Sequence, residues 1–423
     1  MSAFWIHLAA VLMGVGGGSV IALGGDVVDA TSLRGKVLAG YQGWFRAPGD
    51  AQNVGWIHWS RDDKKITAET LSVEMWPDMA EYSVEEKFAA PGWTHRDGLQ
   101  AYLFSSDHPK TVKRHFKWMR DYGIDGVWLQ HFVVDLPGAP AESRYESRYE
   151  SRLRVLQHVR DAAKATGRVW ALTFDMTGIK AAKVVDLIIP EWKKLVDAGI
   201  LKDGRYVHEN GKPVVMLFGL YRQSTVNDMT TEVANQLIDF FQQPGPYQAF
   251  LGGAGEWHWR RNDDPAWQKV FRRLDAISPW NPGNYEVRAD GEKRATTNYW
   301  AADKAECDAH DILWIPTVYP GFGWDNLKKQ AQGKSGIPRR GGNFLWEQFH
   351  ELSKLGADSA MVAMFDEVDE ATAIFKVTND PPVQASLGTY EGLPSDWYLR
   401  LVGEATRRLR EKVQVPPQVP IEP

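Results

Sequence analysis

The regular alternation of short apolar runs with amphipathic stretches constrains the fold of this chain more than any other feature. Runs rich in β-branched and aromatic residues are typical of buried strands, and the stretches between them have helical spacing. The runs are Lys36–Trp44, Gly126–Phe132, Arg168–Asp175, Pro213–Gly219, Tyr247–Gly253, Asp275–Trp280, Ile312–Tyr319 and Ala360–Glu367. Eight strand–helix units in succession predict an α/β fold of the (β/α)8 TIM-barrel type in a single domain.

The intervening stretches complete this prediction. Helices are expected at Thr111–Tyr122, Glu191–Ala198 and Asn343–Leu355, where apolar residues recur on one face. Residues 47–106 then form one long insertion after the first strand, with an accessory strand at Tyr102–Ser105. A doubly wound open sheet is the alternative, but no Gly-rich phosphate turn follows the first strand.

Composition excludes several classes of protein. With 43% hydrophobic and 24% charged residues, the chain fits a folded globular protein and not a disordered, collagen-like or multi-span membrane protein. The net charge of -5 and the lack of a Lys/Arg-rich block argue against a nucleic-acid partner. The single cysteine, Cys307, cannot form an internal disulfide or a zinc site built on several thiolates, and we expect it to be buried.

The two ends of the chain differ from its middle. Residues 1–25 carry almost no charge, and the apolar stretch Leu8–Met13 precedes the small residues Gly24 and Gly25. This pattern predicts a secretory signal peptide, a secreted or periplasmic protein, and no stable membrane association after the signal is removed. A retained N-terminal membrane anchor is the alternative, because the apolar run approaches a spanning length. The barrel would occupy residues 26–412.

Two further segments carry weaker signals. The Pro-rich tail Val413–Pro423 is expected to be loose. A four-residue repeat of Glu-Ser-Arg, which begins at Glu142, Glu146 and Glu150, is typical of the solvated start of a helix.

Aromatic and acidic residues collect at the predicted C-terminal ends of the strands, where TIM barrels hold their active sites. Aromatic rings stack on the apolar faces of sugars, and carboxylates bind hydroxyls, so this rim predicts a carbohydrate substrate. The 19 tryptophans agree with that interpretation, although tryptophan is also common in cores. The predicted substrate-binding residues are Tyr41, Trp44, His131, Asp175, Trp280, Tyr319, Trp324 and Asp366.

The strongest chemical signal is the acidic cluster Asp366–Glu370, in which four of five residues are acidic, directly after the last apolar run. Crowded carboxyl groups cannot all ionise freely, so one should keep its proton while another loses it. A general acid and a general base need this difference, which makes Glu367 and Glu370 the candidate catalytic residues. The alternatives are a Ca²⁺-binding loop and a solvated acidic turn.

Other kinds of site have less support. His258, like His131, lies at a predicted strand end and could bind sugar hydroxyls, although a structural hydrogen bond is the commoner role. No zinc-protease spacing and no Gly-x-Ser-x-Gly nucleophile elbow occurs. We therefore predict no cofactor and no metal.

Several motifs in a fixed order resemble the glycoside hydrolase family 71/99-like proteins, a group whose bacterial members are often labelled xylosidase/arabinosidase. The resemblance extends from about Lys36 to Lys376. The motifs that carry it are Gly40-Tyr-Gln-Gly-Trp44, Trp76-Pro-Asp-Met79, Phe104-Ser-Ser106, His115-Phe-Lys-Trp-Met119, Tyr122-Gly-Ile-Asp-Gly-Val127, Gly211-Lys-Pro-Val214, Ile277-Ser-Pro-Trp280, Tyr319-Pro-Gly-Phe322, Arg340-Gly-Gly-Asn-Phe344 and Phe365-Asp-Glu-Val-Asp-Glu-Ala-Thr372.

The resemblance implies a (β/α)8 barrel that acts on carbohydrate. Family 99 endo-α-mannosidases have Glu-Trp-His-Glu-Gly-Thr after the eighth strand, and Glu367, Glu370 and Thr372 match its two glutamates and its threonine. By this match Glu367 is the base that acts on the sugar 2-hydroxyl, and Glu370 is the general acid. This sequence has Val368-Asp369 in place of Trp-His and Ala371 in place of glycine. Family 71 enzymes are described as inverting α-1,3-glucanases, so both stereochemical outcomes stay open.

The resulting hypothesis is an exported glycoside hydrolase that cleaves O-glycosidic bonds in a polysaccharide or glycan. Glu370 would protonate the leaving oxygen, and Glu367 would be the ionised base. Two rival hypotheses are a carbohydrate-binding protein on a barrel without activity and a metal-dependent hydrolase of another bond.

Overall fold

The computed structural model describes residues 27–139, 148–221, 228–261, 264–331 and 333–423. The predicted signal peptide and the repeat's residues 142–147 lie outside the described residues. Within those ranges, no helix has both the length and the apolar character needed to cross a membrane.

Eight parallel strands form the barrel, and each matches one of the predicted apolar runs. They are β1 (Lys36–Tyr41), β2 (Gly126–Phe132), β3 (Val169–Asp175), β4 (Lys212–Phe218), β5 (Phe250–Ala254), β6 (Ala276–Ser278), β7 in two pieces (Leu313–Trp314 and Thr317–Val318) and β8 (Ser359–Val362). The first piece of β7 pairs with β6 and the second with β8, while β8 also pairs with β1. The sheet thus closes on itself, and the predicted (β/α)8 fold is confirmed.

Helices separate the strands and cover the barrel. They are α1 (Pro109–Tyr122), α2 (Arg148–Thr166), α3 (Ala181–Asp197), α4 (Thr231–Gln242), α5 (Pro265–Phe271), α6 (Trp300–Ala309), α7 (Asp325–Lys328), α8 (Asn343–Lys354) and α9 (Trp397–Arg410). Short 3-10 turns lie at Val84–Glu86, Val133–Asp135, Ile200–Lys202, Trp259–Arg261 and Arg340–Gly342. The helix predicted from Glu191 begins nearly three turns further back, at Ala181, and continues through the exposed Pro190.

Side chains alternate between two apolar layers along each strand. On β1, Val37, Ala39 and Tyr41 pack in the large cluster between the sheet and the helices. Leu38, with Trp128 of β2, belongs to a second cluster inside the barrel. This period of two decides which residues at a strand end can face the central cavity.

The long insertion after β1 is an ordered lobe whose buried residues join the large apolar cluster between the sheet and the helices. Its antiparallel strands Phe88–Thr94 and Gln100–Leu103 pair, close to the accessory strand predicted at Tyr102–Ser105. Trp59, Trp76 and Trp93 are fully buried, and each indole N–H donates to a backbone carbonyl at 3.0 Å. Two other short pairs complete the strands, namely His208–Glu209 with β4 and Tyr285–Val287 with Lys293–Ala295.

Two expectations about single segments have different outcomes. Cys307 is buried and unpaired, as predicted. The C-terminal tail is not loose: Val415 is fully buried, its N–H donates to Ser353, and the Trp346 indole donates to the carbonyl of Pro416. The tail therefore packs on α8 through the backbone groups of Val415 and Pro416.

A close backbone contact between α9 and α1 leads to a prediction about stability. A Cβ atom on Gly403 would lie 1.8 Å from the carbonyl oxygen of Tyr122. Gly403→Ala should therefore destabilise the protein by about 1–3 kcal/mol, although alanine is otherwise the better helix former. Thermal unfolding measures this effect, and Gly204→Ala is the control because nothing lies within 4 Å of its added methyl group. Equal melting temperatures for the two variants would contradict this packing.

Candidate active site

A cavity of about 760 Å³ lies at the C-terminal ends of the barrel strands. Its size is within the range of roughly 300–1,000 Å³ that small-ligand sites occupy. Residues that follow the strands line one side, and residues of the insertion line the other, among them Ile57, His58 and Arg61. The insertion thus forms a wall of the cavity.

One row of inward-facing residues crosses three neighbouring strands. Phe132 of β2 is in register with Asp175 of β3, and Asp175 is in register with Phe218 of β4. All three line the cavity, as does Trp280, whose ring packs edge-on against Phe218 at 5.1 Å. Burial raises the pKa of Asp175. A carboxyl group flanked by aromatic rings is suited to bind a ligand with an apolar face and hydroxyl groups.

The segment after β8 forms a compact turn that carries both candidate glutamates. The backbone carbonyl of Glu367 accepts hydrogen bonds from the N–H groups of Thr372 and Ala373, at 3.1 and 2.8 Å. Ala371 has a left-handed backbone (φ 53°), a conformation that glycine adopts more readily. The family 99 motif has glycine at the matching position, which fits this backbone conformation. The turn directs both Glu367 and Glu370 to the cavity.

Burial and mutual repulsion raise the proton affinity of the whole cluster. Burial raises the pKa of Glu370 to about 7, although Lys328 lowers it. The pKa of Glu367 lies well above its usual range because of burial and because of the charges of Glu370 and Asp369. The cluster therefore holds at least one proton at neutral pH, as acid–base chemistry requires. Burial and the acidic neighbours thus act against the ionised form predicted for Glu367, while the hydrogen bond from Gln42 favours it.

Asp366 does not line the cavity but holds the turn that follows β1. Its Oδ1 accepts the backbone N–H of Gln42 at 2.8 Å, and its Oδ2 accepts that of Gly43 at 2.9 Å. The side chain is fully buried, and burial raises its pKa to about 6. The Gln42 amide in turn donates to Oε2 of Glu367 at 2.9 Å. These hydrogen bonds join the segment after β8 to the turn after β1.

His58 connects the insertion to the acidic cluster. Its Nδ1 lies 3.3 Å from Oδ2 of Asp369, and its ring stacks on Trp44 with the centroids 3.8 Å apart. Burial lowers the pKa of His58 well below its usual value, and the nearby arginines lower it further, so the imidazole is neutral at pH 7. Phe132 also stacks on Trp44, at 5.4 Å. Trp44 therefore lines the cavity as part of a packed aromatic stack.

Four other predicted residues lie away from the cavity lining. Tyr41 is fully buried and hydrogen-bonded to Nδ1 of His115 at 2.8 Å, and Nε2 of His131 lies 3.0 Å from Glu191 in the outer layer. Tyr319 is also fully buried and donates to the carbonyl of Asn284. Trp324 is partly buried and packs against Phe322. We propose no substrate contact for any of the four. His258 does not line the cavity either.

Several cavity residues were not predicted from the sequence. Gln42, Gln130 and Phe132 lie at the predicted strand ends, directly beside the predicted residues Tyr41 and His131. Arg152 comes from α2, where its guanidinium donates to Asp135 at 2.9 Å and lies 4.4 Å from the Phe132 ring centroid. Side chains alternate between the two faces of a strand, so Gln130 and Phe132 share a face, and Phe132 is in register with Asp175. This alternation is the one signal that could have identified the two strand residues.

The metal-binding alternative for the acidic cluster has no geometric support. In the described part of the chain, no group of three or more His, Cys, Asp or Glu side chains is arranged to hold a metal ion.

Solved structures of the same fold come from glycoside hydrolases. No protein-family model matches the chain, and no curated protein matches it. Two structures of the GH99 endo-alpha-mannosidase from Bacteroides thetaiotaomicron align over 90% of this chain and 98–99% of theirs, with TM-scores of 0.64 and 0.65 and 14% identity. A structure titled glycoside hydrolase-like protein aligns over 92% of this chain and 97% of its own, at a TM-score of 0.50 and 12% identity.

These similarities establish the fold alone, because the identities are so low. They support the family 99 part of the sequence resemblance at that level, and they lend no support to family 71 or to the xylosidase/arabinosidase label. The chain therefore has the barrel fold of the GH99 endo-alpha-mannosidase structures over nine-tenths of its length.

Proposed function

We propose that the protein is a glycoside hydrolase that cleaves O-glycosidic bonds in a polysaccharide or glycan with Glu367 and Glu370. One observation carries the proposal: two glutamates with raised pKa values line one cavity at the C-terminal end of a TIM barrel. The fold shared with the GH99 endo-alpha-mannosidase structures supports the same reaction class. No cofactor is part of the proposal.

The roles of the two glutamates follow the family motif. Glu370 is partly exposed and has a pKa of about 7, so it can give a proton to the leaving oxygen near neutral pH. Glu367 is the base, and the hydrogen bond from Gln42 favours its charged form. The sugar would pack on the rings of Phe132, Phe218 and Trp280. Asp175 would accept hydrogen bonds from the sugar hydroxyls.

A panel of α- and β-linked glycans tests the reaction class. The products of purified protein are followed by NMR from the first turnover, so that the anomer released shows retention or inversion. Cleavage of a glycosidic bond with one defined stereochemistry supports the proposal. Saturable binding of glycans without any cleavage would instead indicate a carbohydrate-binding protein and would overturn it.

The charge beside Glu370 gives a prediction about pH dependence. Lys328 lowers the pKa of Glu370, so Lys328→Met should raise it. Activity that needs protonated Glu370 is lost as pH rises through this pKa. The basic limb of the kcat/KM profile should therefore move up by roughly 0.2–0.7 pH unit, as for loss of an exposed charge interaction. Lys329→Met removes a neighbouring exposed charge and is the control. A basic limb that moves equally in both variants would argue against Glu370 as the acid.

A further inference from the structure

The turn after β1 is unusually well fixed for a segment at the edge of a cavity. The backbone N–H groups of Gln42 and Gly43 both donate to Asp366, as described above. Arg152 donates to the carbonyls of the same two residues, at 3.0 and 3.2 Å. The carbonyl of Gly43 also accepts from Arg46 at 3.0 Å. The backbone N–H and C=O groups of both Gln42 and Gly43 are therefore hydrogen-bonded.

Gly43 is required for this geometry. Its φ of 56° is in the left-handed region, and an added Cβ would lie 2.9 Å from the Val155 side chain. The partners that hold the turn are themselves in the interior, since Arg46, Arg152 and Asp366 are all at least nine-tenths buried. A turn held in this way offers a rigid base for the side chain that projects from it.

The one side chain that projects from this turn towards the cluster is that of Gln42. It is 8% exposed, lines the cavity, and contacts Glu367 through Nε2 at 2.9 Å. An amide donor stabilises a carboxylate and orients it without adding charge. The charges of Asp366, Asp369 and Glu370 act in the opposite direction and favour the neutral form of Glu367. The cationic groups that line the same cavity are Arg61, Arg148 and Arg152, and the His58 ring there has a lowered pKa.

We propose that Gln42 is the positioning residue of the reaction, which holds Glu367 in one orientation and favours its ionised form. This inference rests on the proposed function for its catalytic meaning, but the interaction itself exists independently of any substrate. Gln42→Met removes the donor at similar size, and Gln42→Glu replaces it with an acidic group. Loss of the amide should raise the pKa of Glu367, with the larger rise in Gln42→Glu because of the added like charge.

The main experiment measures that pKa directly. Glutamate labelled with ¹³C at the side-chain carboxyl is incorporated into the full chain, the Glu367 signal is assigned with Glu367→Gln, and its titration is compared among variants. Gln130→Met is the matched control, because Gln130 lies on the next strand, lines the same cavity and is 6% exposed. The Glu367 titration should move up in both Gln42 variants and stay in place in Gln130→Met. An unchanged titration in the two Gln42 variants overturns the inference.

Kinetics provide a second readout that separates positioning from folding. In Gln42→Met, kcat should fall on the order of 10²-fold, the size expected for a misplaced reacting group, with KM changed much less. The acidic limb of the pH profile should move up together with the NMR titration. A loss of kcat that follows only the folded fraction of protein, with an unchanged pH profile, would contradict the inference. If wild-type protein cleaves no glycan, the proposed function fails, whereas the NMR titration still tests Gln42.

Discussion

Glu370→Gln is expected to lower kcat/KM by about 10²- to 10⁴-fold on a glycan whose leaving group is an unactivated sugar hydroxyl. Such an alkoxide departs slowly unless an acid protonates it. On an aryl glycoside with a strongly acidic phenol as leaving group, protonation is hardly needed, so the loss should be much smaller. The measurement is therefore the ratio of the two losses.

Glu367→Gln should behave differently, because a base is needed whatever the leaving group. Its loss should be large on both substrates and similar in size. Glu411→Gln, at the exposed residue that directly follows α9, is the control and should match wild type. The reverse pattern, with Glu367→Gln spared on the aryl glycoside, would exchange the two roles. Unchanged hydrolysis in both variants would exclude the pair from catalysis altogether.

This comparison is needed because two signals for Glu367 oppose one another. The family motif and the amide of Gln42 assign it the charged state, while burial and its acidic neighbours favour the neutral state. A sequence could not predict that conflict. The crowding of carboxyls was visible in Asp366–Glu370, but the depth of burial of each member depends on how the turn folds. The buried Asp366 carboxylate, for example, accepts hydrogen bonds from the backbone N–H groups of Gln42 and Gly43, whereas Glu370 is partly exposed.

The strands could be predicted from local pattern, but the direction of the side chains at their ends could not. At the predicted strand ends, Tyr41 was expected to stack on the sugar and His131 to bind its hydroxyls, yet both side chains point to the outer layer. Their neighbours Gln42 and Phe132 line the cavity instead. A shift of one residue reverses the face of a strand residue, so an error of one position moves a predicted contact from the cavity to the core.

Tryptophan content illustrates a second limit. The excess suggested sugar-stacking surfaces, but fourteen tryptophans are buried in the two apolar clusters. Of the tryptophans in the described ranges, Trp44 and Trp280 line the cavity. Contacts between distant segments are a third limit. His58 meets Asp369 across 311 positions of sequence, and no local pattern in the insertion predicts that contact.

The same Glu370→Gln variant should also show how much the ionisation of buried Glu370 lowers the free energy of unfolding. The pKa of Glu370 is raised from 4.5 in the unfolded chain to about 7 in the folded protein. The folded state is therefore favoured by protonation: this contribution is complete below pH 4.5 and is lost as pH rises through 7. Glutamine cannot ionise, so the variant does not undergo this loss.

We therefore expect Glu370→Gln to become more stable relative to wild type by about 2 kcal/mol between pH 5.5 and 8.5. Urea unfolding at several pH values measures the difference in free energy of unfolding between the two proteins. Groups that do not feel Glu370, including the buried His115 with its lowered pKa, titrate alike in both proteins. Loss of the Glu370 charge also lowers the pKa values of Glu367 and Asp369, which acts in the same direction as the loss of Glu370 itself. Glu411→Gln should show no such trend. A pH-independent difference would mean that Glu370 ionises normally, and it would then be unfit to act as an acid near neutral pH.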